Sequence, residues 1–466
     1  MADIFDLAII GGGPAGYVAA LRASQLMARI ALLEKDKVGG TCLNVGCIPT
    51  KALIRSAEAL LEAKNAGELG VDIAGSAVPN WPRMMARKNH VVATLVSGIE
   101  NLLAGGKVSF FRSAGQLRGQ TDGTWLIAAG EETVQARRVL VATGSVPARL
   151  PVPGNDLPGV ITSTEALNLD RVPASIVIAG GNVIGLEFAC LLWALGSRVT
   201  VLEMLPTILP NSDERFAARL LSLLRGRGVN VQVGARVVGI EQAESGLAVR
   251  YQTAQGELTA NGELVLLATG QRPYTDGLGL DTLGVVMNRR AIAVNEYLET
   301  NVSGLFAAGD CTGGQMLAHV ASHAGIVAAE NALGKHRVLD LRAVPACIFT
   351  IPEIAGVGLT ERQAKEQGVE VVVGRFPFAA LGRALAMGET EGQVRLVCEA
   401  GSGKVLGMHV MGPHASDLIA EGAVAVRLGL TARDLAETIH AHPTLPEATA
   451  EAALAVYGEA IHQRKL

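Results

Sequence analysis

Residues 6–34 read DLAIIGGGPAGYVAALRASQLMARIALLE. Leu7 to Ile10 make a short apolar run, three glycines follow, and Tyr17, Ala20, Leu21 and Ser24 continue at helical spacing. A second apolar run, Ile30 to Leu33, ends at Glu34. The pattern predicts strand, tight turn, helix and strand. In such a unit the first glycine (Gly11) permits the turn, and the second (Gly13) lets backbone approach a pyrophosphate. The third (Gly16) lets the helix pack on the strand, so that its N-terminus faces negative charge. An acid about 20 residues on, here Glu34, suits a ribose hydroxyl. Residues 175–203, SIVIAGGNVIGLEFACLLWALGSRVTVLE, repeat the plan with Gly180, Gly185 and Glu203. In both copies the acid follows the first glycine by 23 positions (11 to 34, 180 to 203). One glycine motif alone could be a loop. Two with matched flanks predict two doubly wound α/β dinucleotide sites.

The second copy departs at Asn182, which stands where the close-approach glycine belongs. Asn tolerates left-handed backbone, so the turn is expected to survive. Its side chain is expected to crowd the pyrophosphate and loosen the grip. A further echo is RVLVATGSVP (138–147) against LVLLATGQRP (264–273), each an apolar strand ending in Ala-Thr-Gly. Each is read as closing one unit, which inserts the second unit into the first. The division is then 1–147 with 275–342, 148–274, and a C-terminal α+β part, 343–466. Two dinucleotides side by side point to electron transfer between them. Glu203 repels a 2′-phosphate and no arginine cluster follows it, so the second site is read for NAD rather than NADP.

A chain of 466 residues exceeds one ordinary core, and 49% hydrophobic with 18% charged residues reads as globular. No apolar run reaches the roughly 18 residues of a membrane span. The strand pattern begins directly after Met-Ala-Asp, so the protein is read as soluble and cytoplasmic. A net charge of −4 with scattered Lys and Arg argues against nucleic acid. Six cysteines are too sparse for a disulfide scaffold. Cys190, Cys311, Cys347 and Cys398 are isolated and read as small buried hydrophobes.

Cys42 and Cys47 are different, lying in GGTCLNVGCIPTKALIRSAEALLEA (39–63). Lys51 onward is helix-forming. Residues five apart in a regular helix lie roughly 8 Å apart, whereas a disulfide needs under about 7 Å between α-carbons. A bond therefore demands a distorted turn, for which Gly46 supplies freedom and Pro49 a break. Redox pair, structural thiols and metal knuckle all remain open on spacing alone, although no second Cys/His cluster completes four ligands. Beside two dinucleotide units the redox reading is preferred. Near the C-terminus, HAHPTLPEA (440–448) sets His442 five positions before Glu447. That could be a surface pair, yet thiol–disulfide exchange needs a base, and a carboxylate-oriented histidine supplies one.

These motifs resemble the flavin-dependent pyridine nucleotide–disulfide oxidoreductases, within them the branch that oxidises dihydrolipoamide. The matching stretches are GGGPAGYVAA, GGTCLNVGCIPTKAL, ATG, IGLE, GLFAAGDC, MLAH, PEIAGVGLTE and HAHPTLPEA, in order from residue 6 to about 453. The resemblance implies FAD held by Gly11, Gly13, Gly16, Glu34 and Thr41. Gly115 would lie by the adenine, and Ala142, Thr143 and Gly144 along the cofactor. Asp310 would sit at its ribityl or phosphate region, with Met316, Leu317, Ala318 and His319 beside the ring. Lys51 would lie near the flavin, paired with Glu187. Gly180, Asn182, Gly185, Glu203, Val237 and Gly270 would line the NAD site. Cys42 would be the interchange thiol and Cys47 the flavin-facing thiol. His442, oriented by Glu447, would be the acid/base, given by the other subunit of a homodimer whose interface is 343–466. His440, without the carboxylate spacing, is read as structural, and His319, His323, His409 and His414 as packing or surface residues. A lipoyl-bearing protein of a 2-oxoacid dehydrogenase or glycine cleavage complex would bring the substrate. The rivals are a glutathione-reductase-like enzyme, disfavoured by Glu203, and a mainly structural subunit of such a complex. A mercuric reductase would carry a further C-terminal cysteine pair, and a soluble transhydrogenase would lack Cys42 and Cys47.

Overall fold

The computed structural model describes residues 4–463; the Met-Ala-Asp start and the last three residues lie outside the described residues. Strand β1 (Ile4–Ile10) runs parallel between β2 (Ile30–Leu33) and the strand Glu132–Val141. Helix α1 (Pro14–Gln25) makes the crossover and buries Ala15, Ala19, Ala20 and Ala23. Small residues on that face bring it close to the helix Ala318–Ala332, which is itself alanine-rich. All four residues of β2 are buried, as a parallel strand covered on both faces requires. Strand Leu305–Ala307 pairs with Glu132–Val141, so the chain returns to this first sheet after an excursion.

That excursion is the second unit. Its five-stranded parallel sheet has Ser175–Ala179 between Arg198–Glu203 and Leu264–Leu267. A three-stranded antiparallel meander, Arg236–Gln242 to Gly256–Gly262, is appended. The two Ala-Thr-Gly segments are followed by Ser145–Pro147 and Gln271–Pro273, which pair with one another and stitch the units together. The inserted arrangement expected from the sequence is the one observed. The C-terminal part is a five-stranded sheet, antiparallel throughout, covered by the helices Ala415–Leu428 and Glu447–Val456.

The cysteine segment departs from expectation in detail. Helix α2 (Gly40–Val45) carries Cys42, and α3 (Cys47–Asn65) begins at Cys47 rather than at Lys51. The break is Gly46 alone, with φ −142° and ψ −110°. Pro49 lies in the first turn of α3, where its missing N–H leaves no helical bond unmade. Leu53, Ile54 and Ala57 of α3 pack against the helix Val183–Ala194, whose Leu186, Phe188, Cys190 and Leu191 are buried. Each fully buried leucine there contributes about 2 kcal/mol of burial. This contact ties the cysteine helix to the second unit and sets Lys51 opposite Glu187. No described helix is long and apolar enough to cross a membrane.

Candidate active site

Both glycine turns are built alike. Gly11 takes φ +108°, and a Cβ there would strike the carbonyl of Ala142. A Cβ on Gly16 would strike the carbonyl of Gly11. In the second unit Gly180 (φ +119°) meets Ala268, and Gly185 meets Gly180, in the same way. The acids are also held alike. Glu34 Oε2 accepts from Gly12 N–H at 2.7 Å and Oε1 from Asp36 N–H at 2.8 Å. Glu203 Oε2 accepts from Gly181 N–H at 2.6 Å and Oε1 from Leu205 N–H at 2.7 Å.

The two helix starts differ. Gly13 offers no side chain to cap α1, so the helix N-terminus stands open, as a pyrophosphate requires. Asn182 instead turns its Oδ1 onto Val183 N–H at 2.9 Å. Its backbone is extended (φ −99°, ψ −171°), so the left-handed tolerance invoked for asparagine is not used. Gly13 is extended too (φ −71°, ψ −173°); this position needs space, not special angles.

Of the other expected FAD positions, Thr143 and Gly115 border the first turn. Thr143 Oγ1 donates to Tyr274 O at 2.6 Å and Thr41 Oγ1 to Ser145 O at 3.4 Å. Ser145 Oγ donates to Asp310 Oδ2 at 2.6 Å, and burial pushes the Asp310 carboxyl upward against that bond. Gly115 lies against Ile10, where a Cβ would come within 2.9 Å of its side chain. Gly144 (φ +71°) completes the bend after Thr143. Met316 and Leu317 precede the helix Ala318–Ala332, and His319 Nε2 contacts Pro345 O at 2.8 Å. In the second unit Gly270 O accepts from Ala148 N–H, while Val237 opposite Tyr251 packs on that unit's core. A turn without room for Cβ, an open helix end and an inward carboxylate fit a dinucleotide.

Cys42 and Cys47 are free thiols lying close together across the Gly46 break. The neighbouring Cys42 thiol lowers Cys47 to about 7 against the cost of burial, with the Lys51 charge assisting. The nearness of Cys47, together with burial, pushes Cys42 well above the ordinary thiol range. Lys51 Nζ holds both oxygens of buried Glu187 at 2.8 and 2.7 Å. Phe349 N–H donates to the same carboxylate at 3.0 Å, and Lys51 Nζ lies 4.6 Å from the Phe349 ring centroid. Phe349 and Ser145 were not legible as site residues, since each acts through a fold contact more than 100 positions away (349 against 187, 145 against 310).

His442 Nδ1 is 2.8 Å from Glu447 Oε1, and Thr444 N–H donates to Oε2 at 2.7 Å. Burial raises the Glu447 carboxyl, but the Thr444 amide and His442 together hold it below the usual range. His442 is 78% exposed, pointing outward from its own chain. His440 has a carboxylate after all: its Nε2 is 2.9 Å from Glu421 Oε1, a partner 19 positions upstream that no local spacing reveals. Cys190, Cys311 and Cys398 are buried as expected, whereas Cys347 is only half-buried. No group of residues suited to a metal occurs among the described residues.

Residues 5–325 match the pyridine nucleotide-disulphide oxidoreductase family, and residues 344–453 match that family's dimerisation domain. The chain belongs to this family; it is an NAD-dependent flavoprotein oxidoreductase with FAD and NAD as cofactors, and it carries the homodimer-forming domain. It is 40% identical to a dihydrolipoyl dehydrogenase of Bacillus subtilis, covering 99% of this chain and 100% of that one. It is 42% identical to one from Thermus scotoductus, covering 98% of each. The crystal structure of LpdA from Mycobacterium tuberculosis superposes with a TM-score of 0.89 at 32% identity, over 97% of this chain and 99% of that one. The HOCl-induced flavoprotein disulfide reductase RclA of Escherichia coli superposes at 0.84 with 29% identity, over 95% and 98%.

Proposed function

We propose that the protein oxidises dihydrolipoamide to lipoamide through a Cys42–Cys47 disulfide and passes the electrons to NAD. The observation that carries this is the thiol pair on a broken helix, backed by Lys51 and Glu187 and lying between two dinucleotide turns. A sulfur beside a positive charge is the better leaving group. Cys47 begins α3 one helical turn before Lys51, so attack on the oxidised pair falls on Cys42 Sγ: a substrate–Cys42 bond forms, the Cys42–Cys47 bond breaks, and its electron pair departs on Cys47. His442 of the second copy, held by Glu447 through Nδ1, takes the proton of the attacking substrate thiol on Nε2. The second substrate thiol then closes the lipoamide ring, breaks the mixed disulfide and passes its own proton to the departing Cys42 sulfur, so that one proton rests on His442, one on Cys42, and Cys47 keeps the electron pair. Bound FAD supplies the two-electron relay between the reduced pair and NAD.

On this reading Gly11, Gly13, Gly16, Glu34, Thr41, Gly115, Thr143, Gly144, Asp310 and Met316–His319 serve FAD. Gly180, Asn182, Gly185, Glu203, Val237 and Gly270 serve NAD. The working division is 1–147 with 275–342, 148–274 and 343–466. The lipoyl group arrives on a separate lipoyl-bearing protein of a 2-oxoacid dehydrogenase or glycine cleavage complex. Six free cysteines suit the reducing cytoplasm. The test is a side-by-side assay of dihydrolipoamide with NAD and glutathione disulfide with NADPH. Turnover is expected in the first; turnover only in the second overturns the reading.

A further inference from the structure

His440 and His442 stand two residues apart on one irregular segment, yet their surroundings are opposite. The side chain of His440 is 8% exposed and that of His442 78%. Both ring nitrogens of His440 face acceptors: Nδ1 lies 2.8 Å from Thr438 O and Nε2 2.9 Å from Glu421 Oε1. A carbonyl oxygen and a carboxylate oxygen thus stand within hydrogen-bond reach of the two sides of one ring. Glu421 belongs to the helix Ala415–Leu428, which lies on the strands Glu353–Gly358 and Val405–Gly412. Thr438 Oγ1 in turn donates to Asp434 O at the end of the preceding helix, and Thr444 Oγ1 donates to Ala441 O. His440 therefore anchors its backbone to a rigid helix immediately before the chain emerges to present His442.

Packing alone does not call for this pair. A desolvated ion pair is often no more stabilising than apolar side chains of equal volume. What it adds is direction, since two hydrogen bonds on one ring fix both its position and its plane. A general base must be held to within about 0.5 Å of its working geometry. Glu447 orients the His442 ring but sits beyond it in the chain; without His440 the approach side of the segment would be free to swing.

We propose that His440, held against Glu421, is a positioning residue that fixes the backbone carrying His442; this rests on the dihydrolipoamide reading above. His440→Phe keeps bulk and removes both hydrogen bonds, Glu421→Ala removes the anchor, and Glu421→Gln keeps an acceptor oxygen. Two reactions of the holoenzyme are followed: dihydrolipoamide with NAD, which needs His442, and NADH with ferricyanide, which needs the cofactors but no thiol exchange. His440→Phe and Glu421→Ala should each lower dihydrolipoamide kcat by roughly 10- to 100-fold, the scale of an ångström of misplacement. Its KM and the ferricyanide rate should stay within about twofold, as expected when only transition-state geometry is lost. The double variant should be no worse than the worse single, and Glu421→Gln should recover most of the loss. An unchanged His440→Phe enzyme, a parallel fall of both reactions, additive singles, or Glu421→Gln as poor as Glu421→Ala would each overturn the proposal. A wild-type enzyme that reduces ferricyanide but never oxidises dihydrolipoamide overturns the substrate reading, and this positioning role with it. Wild-type turnover beside an unaffected His440→Phe overturns the positioning role alone.

Discussion

The two glycine turns are near copies down to single hydrogen bonds, and the segments they lead into diverge. In the first, Gly39 N–H returns to Gly12 O at 2.8 Å; in the second, Leu209 N–H returns to Gly181 O at 3.1 Å. Beyond that shared return the first copy enters α2, the Gly46 break and α3, with the two cysteines. The second enters a helix, Glu214–Gly226, capped by Asp213 and bearing no thiol. Duplication thus accounts for two nucleotide grips, while the reactive chemistry is confined to the segment downstream of one of them. The grip is a property of backbone and glycine. On the proposed reading the reactivity is a property of side chains: Lys51 on the cysteine helix, Glu187 from the second unit, and His442 from a second copy.

The sharpest test of that division removes the chemistry and spares the grip. Cys42→Ser or Cys47→Ser should lower dihydrolipoamide turnover roughly 10⁴-fold or more, the scale of losing a nucleophile. The yellow flavin absorbance should stay with the purified protein; loss of both together would show that grip and chemistry are not separable. His442→Gln should cost about 10²- to 10⁴-fold in kcat, the usual share of a general base, again with flavin retained.

The grips themselves can be broken one at a time. Gly16→Ala and Gly185→Ala insert the same methyl against the same kind of carbonyl oxygen. Each should destabilise its turn by about 3 kcal/mol or more, at the upper end of overpacking. If the copies are equivalent, Gly16→Ala loses flavin on gel filtration. Gly185→Ala keeps flavin but shows no binding of NAD by calorimetry. The reverse pattern would exchange the assignment of the two turns.

Legibility in the sequence divides along the same line. The turns are legible because their constraints are local: Gly11, Gly16 and Glu34 lie within one strand–helix–strand and repeat at 180, 185 and 203. The need for a distorted turn between the cysteines is legible from helix geometry, although the break is Gly46 without help from Pro49. Lys51–Glu187 and His442–Glu447 are reached through resemblance, and the contacts are present. Hidden are partners set by topology alone. Glu421 is on a helix separated from His440 by another helix, and Ser145 meets Asp310 only because Leu305–Ala307 rejoins the first sheet. At Asn182 the turn survives for a reason other than left-handed tolerance: its backbone is extended, and its side chain caps the helix.

Lys51 tests the coupling between cysteine helix and second unit. Lys51→Met leaves Glu187 buried with only the Phe349 amide, a loss of about 3 kcal/mol in unfolding free energy, the low end for an orphaned buried charge. It also removes a charge that favours the Cys47 thiolate. The Cys47 titration, near 7 with Lys51 present, should move to higher pH, so that less thiolate exists at neutrality. Ultraviolet thiolate absorbance of the reduced protein against pH reads this directly. An unmoved midpoint would assign the lowering to Cys42 alone.

The smallest effect is expected at Asn182, where the copies differ by one side chain. In the first copy the residue after Gly13 is Pro14, which has no N–H; in the second, Val183 N–H is taken by Asn182 Oδ1. Neither helix offers its first amide to an anion, so the asparagine withholds no donor that the first turn provides. What it adds is bulk and a partial negative oxygen at the mouth, both unfavourable to a pyrophosphate. Asn182→Gly should therefore tighten NAD by only a few-fold, under about 1 kcal/mol. The lost cap should cost a few tenths of a kcal/mol of stability, the usual asparagine-to-glycine difference at a helix start. Calorimetric titration with NAD and thermal unfolding on the same preparation measure the two sides. A variant that binds no tighter would mean that the second turn holds its dinucleotide clear of position 182, and that the two grips differ more than their matched backbones suggest.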